Sequence, residues 1–217
     1  MKLKDITDKK IVVTVGRQFG SGGRELGKAL ADSLGIKYYD KELLTEAARH
    51  AGVAPEFFDR KDERAPSFLS GLYWFNMGCK PATYYSGSNS ISDDSLYTAQ
   101  SDLIKRLAEE ESCVIVGRTA DYILRDNPNV VNVFVHAPVE SCIERILRRQ
   151  PELGADGARQ LANKTNKLRS NYYNFYTDKR WGDAPSYHLT FDSSLLTTQG
   201  MVDVVTSYIS GRFGGAR

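Results

Sequence analysis

Apolar positions along this chain fall into short continuous runs, separated by stretches in which they recur every three or four residues. Ile11 to Val15 is an almost unbroken β-branched run, as a strand covered on both faces requires. Cys113 to Val116 and Val130 to Val135 repeat that character, and the shorter Ile36 to Tyr39 and Tyr187 to Phe191 complete five predicted strands. Between them, Leu26, Ala29, Leu30 and Leu34 mark one face of a helix that Gly35 stops. Leu43, Leu44, Ala47, Ala48 and Ala51 repeat the pattern before Gly52, and Leu96 to Leu107 and Cys142 to Leu147 predict two more helices. Strands alternating with helices predict an α/β fold, a parallel sheet with right-handed crossovers.

Two segments break the alternation. Residues 55–94 are rich in Gly, Ser, Tyr and Phe without a sustained period, which predicts an insert, because a structureless loop that long is unusual inside a domain. Residues 150–181 are basic and predicted helical after Gly154. The expected organisation is one domain over 1–217, with a core near 8–54 and 95–217.

Composition narrows the class. With 217 residues, 41% of them hydrophobic, the chain can bury a core without disulfides. A net charge of +2 lacks the basic excess of a nucleic-acid binder, and no apolar run approaches the length of a membrane span. Cys79, Cys113 and Cys142 show no metal or redox spacing, and the polar first ten residues do not look like a secretory signal. A soluble, cytoplasmic protein is expected. His50, His136 and His188 are scattered and receive no chemistry.

The most informative passage is Gly16-Arg17-Gln18-Phe19-Gly20-Ser21-Gly22-Gly23-Arg24-Glu25, between the first strand and its helix. Successive amides in such a turn face a common hollow, and the helix start adds partial positive charge, so the turn suits phosphate. Against the usual G-x-x-x-x-G-K-[ST] pattern, Gly23 stands at the lysine and Arg24 at the hydroxyl residue. Arg24 is therefore expected to supply the charge, with Ser21 or Glu25 within reach of a metal through water. A glycine-rich connection without a ligand is the plain alternative.

These residues, followed by Tyr38-Tyr39-Asp40-Lys41-Glu42-Leu43, resemble the cytidylate kinase-like family of P-loop proteins. So do Val114-Ile115-Val116-Gly117-Arg118 with Ala120-Asp121-Tyr122, and Arg169, Tyr172-Tyr173, Tyr176-Thr177 and Trp181-Gly182-Asp183. The resemblance implies a three-layer P-loop NTPase-type fold. It has a five-stranded parallel sheet, helices on both faces, a monophosphate-binding insert and a helical lid. It also implies phosphoryl transfer from ATP, with Mg²⁺, to a nucleoside monophosphate, CMP or dCMP foremost.

Residue by residue, the resemblance puts the ATP phosphates on Phe19, Gly20, Ser21, Gly22, Gly23, Arg24 and Glu25. Arg118 matches an arginine that contacts the acceptor phosphate, and Arg169 matches a lid arginine that bridges phosphates. Arg24, Arg118 and Arg169 are thus the expected catalytic cations. Asn166 stands where the family's lid carries an Asp. Asp40 and Asp121 are acceptor-side candidates, although Asp40 also fits a helix cap and Asp121 a helix-start acid. Tyr172, Tyr173, Tyr176 and Trp181 suit base stacking or core packing alike, whereas Arg145, Arg148 and Arg149 read as solvated helix-end cations. Two rivals stand beside the cytidylate reading: a P-loop kinase with another small acceptor, and a nucleotide-binding regulator without turnover.

Overall fold

The computed structural model describes residues 2–40 and 90–215. The predicted helix from Leu43 to Ala51 and most of the 55–94 insert lie outside the described residues. The chain divides into two compact units, Met1–Lys41 with Ile104–Arg217, and Glu42–Leu103.

Five strands form one parallel sheet: β1 (Val12–Arg17), β2 (Lys37–Tyr39), β3 (Cys113–Val116), β4 (Val130–His136) and β5 (Leu189–Asp192). The helices among the described residues are α1 (Gly23–Leu34), α2 (Ser90–Glu110), α3 (Ala120–Ile123), α4 (Val139–Leu147), α5 (Gly154–Tyr176) and α6 (Thr198–Phe213). The spatial order is β2-β3-β1-β4-β5. From β1 the chain returns to β2 on one side of the sheet, and from β3 it returns to β4 on the other. The crevice at the ends of β1 and β3 is therefore the switch point where open α/β sheets bind ligands.

Continuous apolar runs make strands here because both faces are covered. Val13, Val15, Val114, Val116, Val131, Val133 and Val135 pack with Leu26, Leu30 and Leu34 of α1 and Met201, Val205 and Ile209 of α6. The alternate residues Val12, Thr14, Cys113, Ile115 and Val130 are buried as well, so the opposite face is also covered. The thiols of Cys113 and Cys142 are buried, the first pushed up to about 12 by burial. Gly35 ends α1 in a left-handed conformation, its N–H donating to the Ala31 carbonyl at 2.8 Å.

The approach of α1 to the sheet depends on Gly27, where a Cβ would lie 2.6 Å from Cγ2 of Val116. Gly27→Ala is expected to cost about 1–3 kcal/mol by overpacking. Gly157→Ala, whose Cβ would meet Leu153 at an ordinary 3.4 Å, is expected to gain about 0.5–1 kcal/mol. Urea midpoints of the two variants check the pair, and equal midpoints would mean that α1 is not seated this closely.

Candidate active site

The turn from β1 to α1 is anchored from behind by main-chain carbonyls. The buried Ser21 hydroxyl lies 2.9 Å from the Gln18 carbonyl and 3.0 Å from that of Val135. Ser193, just past β5, donates to the Ser21 carbonyl at 2.6 Å. Arg145 of α4 spans the same junction, donating to the Ser193 carbonyl at 2.6 Å and to the Gly20 carbonyl at 3.4 Å. Gly20 has a φ of +78°, and a Cβ there would lie 2.7 Å from the Cys142 carbonyl, so only glycine lets the turn sit on α4. Arg145 thus braces the phosphate-type turn instead of ending its helix in solvent. Ser21 would have to give up two internal contacts to reach a metal. Glu25 faces out and pairs with Arg149.

The long helix α5 is docked on this turn. Asn166 Oδ1 accepts from the Phe19 amide at 2.7 Å. Arg169 donates to the Arg17 carbonyl at 3.1 Å and lies 5.5 Å from the centre of the Phe19 ring. Of the turn's expected phosphate donors, the Phe19 amide is therefore committed to α5. The first-turn amides of α1, at Gly23, Arg24 and Glu25, have no partner within their own helix by its geometry.

Four arginines gather at this sheet edge. Arg17 ends β1, Arg24 opens α1, Arg118 follows β3, and Arg169 comes from α5. Burial first and then the charge of Arg118 push Arg17 down to about 10, with Arg24 acting in the same sense and Asp40 opposing it. Arg169 is held well below the usual guanidinium range by burial and by Arg17. Guanidinium groups stay charged near neutrality, so these directions reflect the burial of the two arginines first and the neighbouring cations second.

Arg24 and Asp40 meet across the site. Asp40 Oδ2 accepts from Arg24 Nη2 at 2.7 Å and Nε at 3.1 Å, and Tyr38 adds its hydroxyl at 3.3 Å. Asp40 is buried, while the Arg24 side chain is 62% exposed. Burial and then Asp40 push the Tyr38 hydroxyl up to about 12, which keeps it a donor. Arg118 sits in a left-handed turn, with φ of +80° at Gly117, +60° at Arg118 and +53° at Thr119. Two successive non-glycine residues there, one β-branched, cost about 1–2 kcal/mol each, strain that accumulates at functional sites.

Beside the turn lies a cleft of about 320 Å³. Glu25, Arg148, Arg149, Thr197, Leu196 and Met201 are among its walls. Among the described residues no group of three His, Cys, Asp or Glu is placed to hold a metal. No described helix is long and apolar enough to cross a membrane.

Sequence reasoning missed Arg17, Arg145 and Ser193. Arg17 lies within the glycine-rich passage, but neither its depth nor its neighbours follow from spacing. The aromatic residues of α5 and the segment after it serve packing in part: Tyr173 is buried, and Trp181 meets Phe134 edge-on at 5.4 Å. Asp121 is buried and accepts the Tyr173 hydroxyl at 2.7 Å, which ties the strained turn at Arg118 to α5.

Burial raises the Asp121 carboxyl above its ordinary value, and the Tyr173 bond only partly offsets this. A raised carboxyl binds its proton more tightly folded than unfolded. Its contribution to stability is therefore full below the unfolded value of about 3.9 and is lost as pH rises through the folded value. Asp121→Asn keeps an acceptor for Tyr173 and removes that titration. Melting temperatures from pH 4 to 7 should show the variant gaining on the wild type as pH rises, and parallel curves would refute the assignment.

Comparison with known proteins bears on the family and the fold. The profile of the cytidylate kinase-like family matches residues 12–195. The protein named cytidylate kinase of Methanosarcina barkeri (strain Fusaro / DSM 804) is 24% identical over 207 residues, covering 93% of this chain and 98% of that one. An uncharacterized protein from Eubacterium ventriosum ATCC 27560 is 28% identical with a TM-score of 0.69, covering 92% of this chain and 98% of its own. A shikimate kinase from Acinetobacter baumannii, solved with shikimate, shares the fold at 16% identity, with a TM-score of 0.51 and coverages of 96% and 97%. A match to the family over most of the length, on a five-stranded parallel sheet with a glycine-rich turn after its central strand, places the chain in the cytidylate kinase-like family.

Proposed function

We propose that this protein transfers the γ-phosphoryl group of ATP to a nucleoside monophosphate, CMP or dCMP foremost. The observation that carries the reading is the gathering of Arg17, Arg24, Arg118 and Arg169 at the switch point of the sheet, beside the start of α1. Phosphoryl transfer needs positioning and neutralisation of charge far more than covalent chemistry. Among the described residues, the edge sets these four cations beside the two buried carboxylates of Asp40 and Asp121, an excess of positive charge that suits anionic substrates.

In this reading the donor phosphates lie on the turn from Phe19 to Glu25, against the first-turn amides of α1. The cleft beside it has the size of a small-ligand pocket and takes the donor's nucleoside, with Leu196 and Met201 as apolar wall. Arg118 holds the acceptor phosphate, and Arg169, already against the turn, closes over the group in transit. Asp40 fixes Arg24 at the acceptor side, and Asp121 holds the Arg118 turn through Tyr173. An ionised monophosphate near neutral pH requires no strong general base.

Mg²⁺, when bound, neutralises triphosphate charge. The nearby carboxylates of Glu25 and Asp40 are each paired with an arginine, which fits an ion held chiefly by substrate oxygens and water. Two features favour rivals. Asn166, at the family's Asp position, is spent on the Phe19 amide, which supports a different small acceptor. Gly23 at the lysine position supports a regulator that binds nucleotide without turnover.

A thermal-shift series with monophosphates, joined to an assay of Mg²⁺-dependent ADP formation, separates these readings. CMP or dCMP should raise the melting temperature with the logarithm of concentration and should be phosphorylated. Arg118→Ala and Arg169→Ala should each lower kcat/KM by about 100-fold with the far-UV circular dichroism unchanged. Stabilisation and turnover by another acceptor alone would remove the cytidylate assignment, and binding of every nucleotide without ADP formation would leave the regulator.

A further inference from the structure

A P-loop without its lysine must find the missing charge elsewhere, and two glycines show where this chain keeps it. A Cβ on Gly23, at the lysine position, would lie 2.5 Å from Cβ and 3.1 Å from Cγ of Arg17. The stem of Arg17 thus fills the space that any side chain at Gly23 would enter. At the other end, a Cβ on Gly117 would collide with Nη1 of Arg17 and lie 2.9 Å from Cζ. One glycine makes room for the stem and the other for the head, so the guanidinium crosses from β1 to the turn that carries Arg118.

The structure assigns Arg17 as the phosphate-binding cation that replaces the loop lysine, reaching the transferred group from the end of β1 and not from the start of α1. This rests on the kinase reading above and adds the identity of the cation that neutralises the group in transit. Arg24, the expected substitute, is held by Asp40 with two nitrogens on one carboxylate oxygen. Arg17 sits between the turn that takes the donor and the arginine assigned to the acceptor, and its own carbonyl is bound by Arg169. It is half-buried, desolvated enough for its charge to act strongly while keeping accessible surface. Arg118 and Arg24 both disfavour its charge, an arrangement that an incoming phosphate relieves. A planar fork can hold two oxygens at once, which a lysine cannot.

A brace for the fold would place the same stem in the same space, so the test needs readouts that a brace does not move. Arg17→Met, Arg17→Lys and Arg24→Met are compared in the full chain for kcat and for tripolyphosphate affinity by calorimetry, a probe that needs no acceptor. Arg17→Met should lose about 100-fold in kcat and weaken tripolyphosphate about 10-fold, Arg17→Lys should retain most of both, and Arg24→Met should lose less than Arg17→Met on each. Wild-type values in Arg17→Met, or a larger loss in Arg24→Met, overturn the assignment. If Arg17→Met does not fold, the arginine Nε resonances of the wild type decide, with Arg17→Lys providing the identification. Tripolyphosphate should shift the Arg17 signal, and an unmoved signal overturns the proposal. A wild type that phosphorylates no monophosphate would end the kinase reading, while the tripolyphosphate measurements would still judge Arg17.

Discussion

Like charges held together at one edge of a sheet set the terms for everything around them. Arg17 and Arg169 are drawn into protein where water screens them poorly, and burial and neighbouring arginines both oppose their charge. A fold tolerates such a cluster when its scaffold is rigid and a ligand of opposite sign completes it. The rigidity comes from β1, hydrogen-bonded on both sides in the middle of the sheet, and from α1, seated against the strands through Gly27. Among the described residues, the buried carboxylate of Asp40 pairs with Arg24, the most exposed of the four arginines.

The contacts behind the glycine-rich turn have the same logic. Ser21, Ser193 and Arg145 satisfy carbonyls on its inner side, so the chain there holds its shape before any phosphate arrives. On the acceptor side, the left-handed turn from Gly117 to Thr119 is strained, and the Asp121–Tyr173 bond ties the helix after it to α5. Arg169 stands one helical turn before Tyr173, so the two bonds place α5 against both halves of the site.

Much of the fold was legible from the order of residues. All five strands occur where unbroken apolar runs or short aromatic runs predicted them, since a doubly covered parallel sheet leaves that signature. The turn after β1 was legible because glycines at a strand-to-helix junction have few other uses. What could not be read was which cations meet. Arg17 and Gly117 are a hundred residues apart, and only the β1–β3 register brings them together. Arg145 looked like any helix-end arginine, and its role depends on two carbonyls contributed by distant loops. Asn166 stood out as a departure from the family pattern, but nothing in its neighbours pointed to the Phe19 amide.

That last contact has a consequence of its own. The latch between α5 and the turn is a neutral carboxamide on a neutral amide, within a site crowded with charge. A carboxylate in its place would drive polyanions away and would respond to acidity and ionic strength. The amide does neither, so its hold on the turn does not depend on the charge that gathers around it.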